Sequence, residues 1–340
     1  MNLFILSIDG LQNAMLGTYG NAWIQTPALN KLAAQSVVFD RYYTNSLDIW
    51  DVFETLWQNF VPSSLITDDS DVFLHPNAAD IEKKQLLNTP DIVEPVAELE
   101  ETQFFKAAAA AVDMLRNGGV PQYLNVHLQG FRGIWDFPLD YRKIHQDDED
   151  PEPYHKLRTD SGERKIEDKD ELQAVIEAYS GGVAVLDDVI AGVLNLLENG
   201  GPGKTMFVLM GTRGFSLGEH GVIGANDALY SENLHLPLLI RFPNQEYASV
   251  RVPQMLQPAD LAEFLRTYPN DSPLLRSIKG ENETEIHELL EFQNGNGERA
   301  VLTPEWFLRN RELYVKPDDK FEFNNVADRQ QDVIEKLVIF

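Results

Sequence analysis

Short apolar runs alternate along the chain with segments whose apolar residues recur at helical spacing. The first run, LFILSI at residues 3–8, stops at Asp9-Gly10, as a strand buried on both faces does where it ends in a loop. Residues 26–36 begin with Thr-Pro and continue at helical spacing, and the strand-like run VVFDRYYT follows them. The pattern therefore predicts a strand, a helix and a second strand within the first 44 residues.

The same alternation continues to about residue 242. It predicts strands at 65–66, YLNVHLQG, TMFVLM and LPLLIRF, and helices over 103–116 and 171–198, with Gly118-Gly119 and Gly200-Gly201 as their stops. Strands that alternate with helices are typical of a parallel sheet covered on both faces. We therefore expect an α/β fold with a large, mainly parallel sheet.

Two segments depart from this pattern. Residues 140–171 are rich in charge and poor in large apolar side chains, which predicts a charged loop excursion with some helix. Near the end, Asn-Gly turns at 294–297 separate strand-like runs, and QQDVIEKLVIF has helical spacing. We therefore predict an α/β domain over residues 1–279 and a small antiparallel β subdomain with a terminal helix over residues 280–340.

The charge balance narrows the classes of partner. The chain has 28 basic and 54 acidic residues, a net charge of −26, which disfavours nucleic acid and anionic membrane surfaces. A small anionic ligand stays possible because a few arginines can dominate a pocket. With no cysteine, disulfides, thiolate metal sites and cysteine nucleophiles are excluded. The first apolar run is too short for a signal peptide, so we expect a cytoplasmic protein unless a leader was removed.

Polar groups follow four of the predicted strands. They are Asp9, the loop 44–46, residues 127–132 and residues 212–220. Ligands of open α/β sheets bind beyond the carboxyl ends of the strands, so these groups are expected to converge on one pocket.

Collinear blocks resemble the sulfatases of the alkaline-phosphatase-like superfamily. The stretch SIDGLQNAMLGTYGNAWIQTPALNKLAAQSVVFDRYYTNS is similar to their N-terminal block, and FVLMGTRGFSLGEHGVIGANDALYSENLHLPLLIRFP to a C-terminal one. Blocks at 125–142, 178–198 and 308–337 match in the same order. The resemblance implies an alkaline-phosphatase-like fold, with a large sheet sandwiched by helices and a small C-terminal antiparallel sheet.

The chain departs from the family at the positions that would supply the nucleophile and the metal ligands. The resemblance implies a nucleophile made from a Cys or Ser in C/S-x-P-x-R and a divalent cation held by carboxylates and an amide. After Ser46 the chain has neither a Cys nor Pro-x-Arg, and Thr212-Arg213 stand where the family has Asp-His. Of the expected ligands only Asp9 remains, a poor site for a cation that wants about six oxygens. We therefore predict no metal and no other cofactor.

Other pocket positions have changed as well. Ala225 stands where the family has a lysine, and Phe131-Arg132 where it has Pro-His. The candidate nucleophile is Ser46, and the candidate ligand-binding residues are Asp9, His127, Arg132, Thr212, Arg213 and His220.

Each candidate has a structural alternative. Ser46 could be a loop or helix-cap serine, His127 a core histidine, and His220 a residue that orients a tight loop. The two arginines could extend into solvent or bind an oxyanion bidentately. A further hypothesis is that Arg213 lies near the old metal position and pairs with Asp9.

Two functions follow from this pattern. The first is a catalytically impaired member of the family, a pseudoenzyme with a residual anion-binding pocket or a protein partner. The alternative is a hydrolase of sulfate or phosphate esters that uses a rearranged site. A purely structural role stays open, as does the oligomeric state.

Overall fold

In the computed structural model, residues 1–58, 60–88, 91–117, 123–147, 150–156, 164–165, 168–199, 204–281 and 285–337 are described. The strands of this part of the chain are β1 (Asn2–Ile8), β2 (Val37–Tyr43), β3 (Ser64–Thr67), β4 (Lys83–Leu86), β5 (Tyr123–Leu128), β6 (Arg164–Lys165), β7 (Thr205–Gly211), β8 (Ser216–Leu217), β9 (Val222–Gly224), β10 (His235–Leu236), β11 (Leu238–Arg241), β12 (Arg251–Leu256), β13 (Leu290–Gln293), β14 (Arg299–Leu302), β15 (Trp306–Arg309) and β16 (Glu312–Val315). The helices are α1 (Pro27–Ala34), α2 (Ile49–Trp57), α3 (Ser70–Leu74), α4 (Gln103–Asn117), α5 (Leu139–Arg142), α6 (Lys169–Asn199), α7 (Ser231–Leu234), α8 (Pro258–Thr267), α9 (Pro273–Ile278) and α10 (Gln331–Leu337).

The main sheet has nine strands and is mixed. Its order is β10-β2-β11-β7-β1-β5-β3-β4, with β12 beside β2. Strands β7, β1, β5, β3 and β4 run parallel, so their carboxyl ends lie at one edge. The expected α/β architecture is confirmed.

The run LPLLIRF forms strand as expected, but it runs against its neighbours in the sheet. This run forms β10 and β11, and β11 is antiparallel to both of its neighbours, β7 and β2. A parallel return would need a long crossover, usually a helix packed on the sheet. Between β7 and β11 the chain offers only a short hairpin and α7, so the strand returns in the opposite direction.

The central strand β1 supplies both halves of the core. Phe4, Leu6 and Ile8 pack on the face covered by α6, and Leu3 and Ile5 pack on the face covered by α2 and α8. This burial on both faces explains why the sequence of β1 is apolar without alternation.

The small C-terminal sheet is antiparallel, in the order β13-β14-β15-β16. The Asn-Gly turn joins β13 to β14, where Asn294 Oδ1 accepts hydrogen bonds from the backbone of Asn296 and Glu298. Apolar residues of this sheet pack with residues of the main domain such as Tyr43 and Leu234. The boundary at residue 280 stays a prediction.

Within the charged segment the structure describes α5, β6 and the start of α6. The glycine pairs at 118–119 and 200–201, expected to stop two helices, lie outside the described residues.

Helix α6 has 31 residues and is apolar enough, by length and composition, to cross a membrane. However, 72% of its most apolar 18-residue window is buried inside the fold, as is typical of the core helix of a globular protein. Two of its glycines allow close packing. A Cβ on Gly181 would lie 2.7 Å from Tyr141 O, and one on Gly182 would lie 2.4 Å from the ring of Phe137.

These contacts predict opposite effects for two glycine substitutions in α6. Gly182→Ala should lower the free energy of unfolding by about 1 to 3 kcal/mol because the ring of Phe137 is buried and cannot move aside. Gly192→Ala should raise it by up to about 1 kcal/mol, since that site is exposed and open. Urea unfolding would measure both, and equal effects at the two positions would contradict this account of the packing.

Candidate functional site

A large cavity lies where the parallel strands end. Its volume is about 840 Å³. Asp9 follows β1, Gln129 follows β5, Arg213 follows β7 and Asp69 follows β3, and all of them line it. Each of the four groups expected to converge thus contributes a lining residue, Ser46 being that of the loop 44–46, whereas Asp69 was not expected. The turn between β13 and β14 adds residues 293–295 to the wall.

An ion pair between Asp9 and Arg213 forms part of the cavity wall. Arg213 Nε donates to Asp9 Oδ1 at 3.0 Å, and Nη2 donates to Oδ2. Thr212 Oγ1 also donates to Asp9 Oδ1, at 2.9 Å. The Asp9 side chain is 1% exposed and that of Arg213 16%. The pairing expected from the sequence is confirmed.

The backbone fixes this pair in place. β1 and β7 are in parallel register, with Ile8 opposite Gly211, so the next residues leave the sheet side by side. Gly10 N then donates to Arg213 O at 2.9 Å. Gly10 has φ +75°, and a Cβ there would lie 3.0 Å from Arg132 N, so a larger residue would be both strained and crowded.

The electrostatics of the pair favour its charged form. Burial alone would raise the pKa of Asp9, but the charge and hydrogen bonds of Arg213, with the charge of Arg132, outweigh it and lower the pKa. Arg213 Nη1 donates to Leu47 O at 3.1 Å, which ties the pair to the loop before α2. All three guanidinium nitrogens of Arg213 therefore donate hydrogen bonds within the protein.

Arg132 lies beside the pair and is held by backbone oxygens. Its Nε donates to Gly214 O at 2.9 Å and its Nη2 to Asn226 O at 3.4 Å. Burial and the charge of Arg213 lower the pKa of Arg132 to about 10, so it stays a cation at neutral pH. Arg132 is positioned by the protein rather than extended into solvent.

Ser46 lines the cavity at the start of the α2 segment. Its Oγ donates to Asp51 Oδ2 at 2.8 Å and accepts a hydrogen bond from Asp48 N at 3.0 Å. Asp48 in turn caps α2, because its Oδ1 accepts from Trp50 N at 2.9 Å. These contacts are those of a serine that orders a helix start.

His127 lies within β5, beneath the cavity. The ring is fully buried, its Nδ1 is 3.2 Å from Ser7 Oγ, and it packs edge-on against Phe53. Its Nε2 is 3.8 Å from Asp69 Oδ2 and has no hydrogen-bond partner within the described ranges. His127 is thus a core histidine that faces a carboxylate of the cavity wall.

His220 and Thr212 are not among the residues that line the cavity. His220 Nδ1 is 2.9 Å from Glu232 Oε1, and its ring stacks on Tyr230 with centroids 3.6 Å apart. Burial opposes protonation of His220, but the hydrogen bond and charge of Glu232 raise its pKa. This matches the alternative in which His220 orients its loop.

Most of the cavity's carboxylates were not expected from the sequence. Among the described residues, two arginines and six carboxylates line it, and of the six only Asp9 was expected; the six are Asp9, Asp48, Asp51, Asp69, Asp71 and Asp227. The pair at 68–69 could have been found because it follows a predicted strand. The others lie on a helix start, a helix turn or a distant loop, where the local pattern carries no sign of a pocket.

The site does not fit the divalent cation that the resemblance implies. Both carboxylate oxygens of Asp9 already contact the guanidinium of Arg213. Across the described ranges, no group of three or more His, Asp or Glu side chains is placed to share one ion. A dication there would meet a fixed cation and a carboxylate whose two oxygens are already engaged, whereas it prefers about six available oxygens.

Comparisons with known structures show the fold. A phosphonate monoester hydrolase of Agrobacterium radiobacter aligns at 16% identity and TM-score 0.73, over 99% of this chain and 94% of that one. A structure in complex with its substrate, D-glucosamine-2-N,6-O-disulfate, aligns at 14% identity and TM-score 0.75, over 99% and 96%. A 2-O GAG sulfatase aligns at 16% identity and TM-score 0.69, over 98% and 89%.

No curated protein sequence matches this chain. The family model described as Sulfatase matches residues 51–266, well over half of the chain. The chain belongs to the sulfatase family, within the alkaline-phosphatase-like superfamily.

Proposed function

We propose that this protein is a sulfatase-family member that binds a ligand in its cavity without hydrolysing sulfate or phosphate esters. The observation that carries the proposal is the guanidinium of Arg213, which contacts both carboxylate oxygens of Asp9. Arg213 takes the place of the divalent cation that the resemblance implies for active relatives.

The pair meets an electrostatic requirement of the fold. An unpaired carboxylate at the end of a buried central strand costs several kcal/mol. Here a side chain of the protein supplies the compensating charge permanently. An incoming dication would have to expel a guanidinium held by Asp9 and by Leu47 O.

The nucleophile is not activated either. Ser46 is the hydroxyl nearest in sequence to the missing motif, and a serine needs an adjacent base or a metal to attack an ester. The alternative, a hydrolase with a rearranged site, has one observation in its favour: Asp51 accepts the Ser46 hydroxyl hydrogen bond at 2.8 Å. Asp51 is exposed to solvent, so water competes for this contact.

The charge of the cavity wall affects which charge a bound ligand can carry. An anion was expected because of Arg132 and Arg213, and that expectation stays a prediction. Arg213 is neutralised by Asp9, and five further carboxylates line the cavity. The amides of Gln129, Gln293 and Asn294 offer neutral donors and acceptors. This wall favours a neutral, polyhydroxylated ligand over a free sulfate or phosphate group.

The first prediction concerns turnover. The protein should hydrolyse p-nitrophenyl sulfate and p-nitrophenyl phosphate no faster than its Ser46→Ala variant does, because Ser46 has neither metal nor buried base. Release of p-nitrophenol would be followed with and without added Mg²⁺, Ca²⁺ and Mn²⁺. Turnover that disappears in Ser46→Ala but persists in Ser249→Ala, a serine on the far exposed surface, would establish the hydrolase alternative instead.

The second prediction concerns the stability supplied by the pair. Arg213→Ala should lower the free energy of unfolding by about 3 kcal/mol because it leaves Asp9 buried without a partner. Asp9→Asn combined with Arg213→Ala should cost less than the sum of the single changes, since the two residues interact directly. Denaturant unfolding of the four proteins completes this cycle, and strictly additive costs would show that the pair contributes no coupling.

The third prediction concerns a variant that restores the Asp-His pair implied by the family resemblance. Thr212→Asp/Arg213→His adds a carboxylate and an imidazole beside Asp9 and removes the guanidinium, so this variant should bind Mn²⁺. Calorimetric titration should detect binding to the variant but not to the wild type. The matched control is Thr212→Asp alone, in which the retained Arg213 should still exclude the ion. Equal Mn²⁺ binding by all three proteins would contradict the replacement of metal by arginine.

A further inference from the structure

A second cavity, of about 420 Å³, lies between the edge of the main sheet and the C-terminal sheet. Its walls come from β2, β10 and β12 on one side and from the segments after β14 and β16 on the other. Among the described residues it shares no lining residue with the cavity at the strand ends. Its volume is that of a pocket for a small organic molecule.

Most of the wall is apolar or aromatic. Met255 and Leu302 are buried side chains of this wall, and Tyr43 stacks on His235 with ring centroids 4.6 Å apart. His235 Nε2 is 2.8 Å from Asp40 O, and burial lowers the pKa of His235 to about 3, so its ring is neutral. A flat apolar group would therefore find a matching surface here.

The charged residues of the wall have the opposite sign to the protein as a whole. Arg41, Lys316 and Lys320 line this cavity against one carboxylate, Asp40, in a chain of net charge −26. Asp40 is paired with Arg251 outside the wall. The wall is thus a local concentration of positive charge on an acidic protein.

Two of these three cations already have carboxylate partners. Arg41 pairs with Glu285, and Lys316 pairs with Glu322. Lys316 Nζ also donates to Asp319 O at 2.8 Å and to Lys320 O at 3.0 Å, so its hydrogen-bonding capacity is filled.

Lys320 differs from both. In the part of the chain that the structure describes, its ammonium has no carboxylate or hydrogen-bond partner, and its one recorded contact is the ring of Phe321 at 5.4 Å. The side chain is half-buried, and burial together with the charge of Lys316 lowers the pKa of Lys320. A partly desolvated cation without a partner gains most from a bound anion.

We propose that this cavity is a second ligand site, which takes a small molecule with an aromatic body and a single carboxylate, the carboxylate resting on Lys320. The apolar wall would hold the ring system, and Lys320 would supply the charge-assisted hydrogen bond. This site is independent of the cavity at the strand ends, so it does not depend on the function proposed above.

The test compares a carboxylate with its neutral analogue. In calorimetric titrations of the full chain, 1-naphthoate should bind at least tenfold more tightly than 1-naphthamide, because only the former pairs with Lys320. Lys320→Gln should abolish this preference, whereas Lys279→Gln, at an exposed lysine directly after α9 that does not line the cavity, should keep it.

Three results would overturn the proposal. They are no saturable binding of 1-naphthoate, equal affinities of the two compounds for the wild type, or an unchanged preference in Lys320→Gln. The comparison of the two compounds on the wild type needs no variant, so it decides the matter even if Lys320→Gln fails to fold.

Discussion

A buried carboxylate at the end of the central strand has to be matched by positive charge. The side chain that supplies this charge also determines which segments around the cavity are joined. Asp9 is held by the guanidinium of Arg213 and the hydroxyl of Thr212. Arg213 in turn holds Leu47 O, just before α2. The pair therefore links the ends of β1 and β7 to the loop that carries Ser46. If the cation were a dissociable metal ion, this linkage would depend on its concentration; with an arginine it is part of the chain.

The fold and the chemistry of this family are carried by different residues. The parallel strands β7, β1, β5 and β3 and the buried helix α6 depend on apolar side chains, which this chain retains. In the function proposed above, hydrolysis would depend on a few polar positions at the strand ends, where Thr212, Arg213 and Ser46 stand in this chain. The architecture is accordingly shared with solved structures at 14–16% identity.

Much of the fold could be predicted because its elements have strong local periodicity. β1 and α6 are examples, since their apolar residues pack into the core from end to end. The contact between Asp9 and Arg213 could be predicted too, because both residues directly follow strands that a parallel sheet places side by side. The direction of β11 could not, because it depends on a connection whose path the apolar pattern does not record.

Part of the cavity wall could not be predicted from the sequence either. Asp71 and Asp227 reach the cavity from a helix and a loop that are far apart along the chain. His220 was expected near the ligand, but its partner Glu232 belongs to α7, and only the tertiary fold brings the two together. Such long-range contacts leave no periodic signal in the sequence.

The replacement of a metal ion by Arg213 beside Asp9 can be tested by diffraction from crystals soaked in MnCl₂ at neutral pH. Anomalous differences collected for manganese locate the ion without reference to activity. We expect no manganese peak within bonding distance of Asp9, and we expect the Arg213 guanidinium to contact both carboxylate oxygens. A manganese peak on Asp9, with Arg213 turned away from it, would contradict the account.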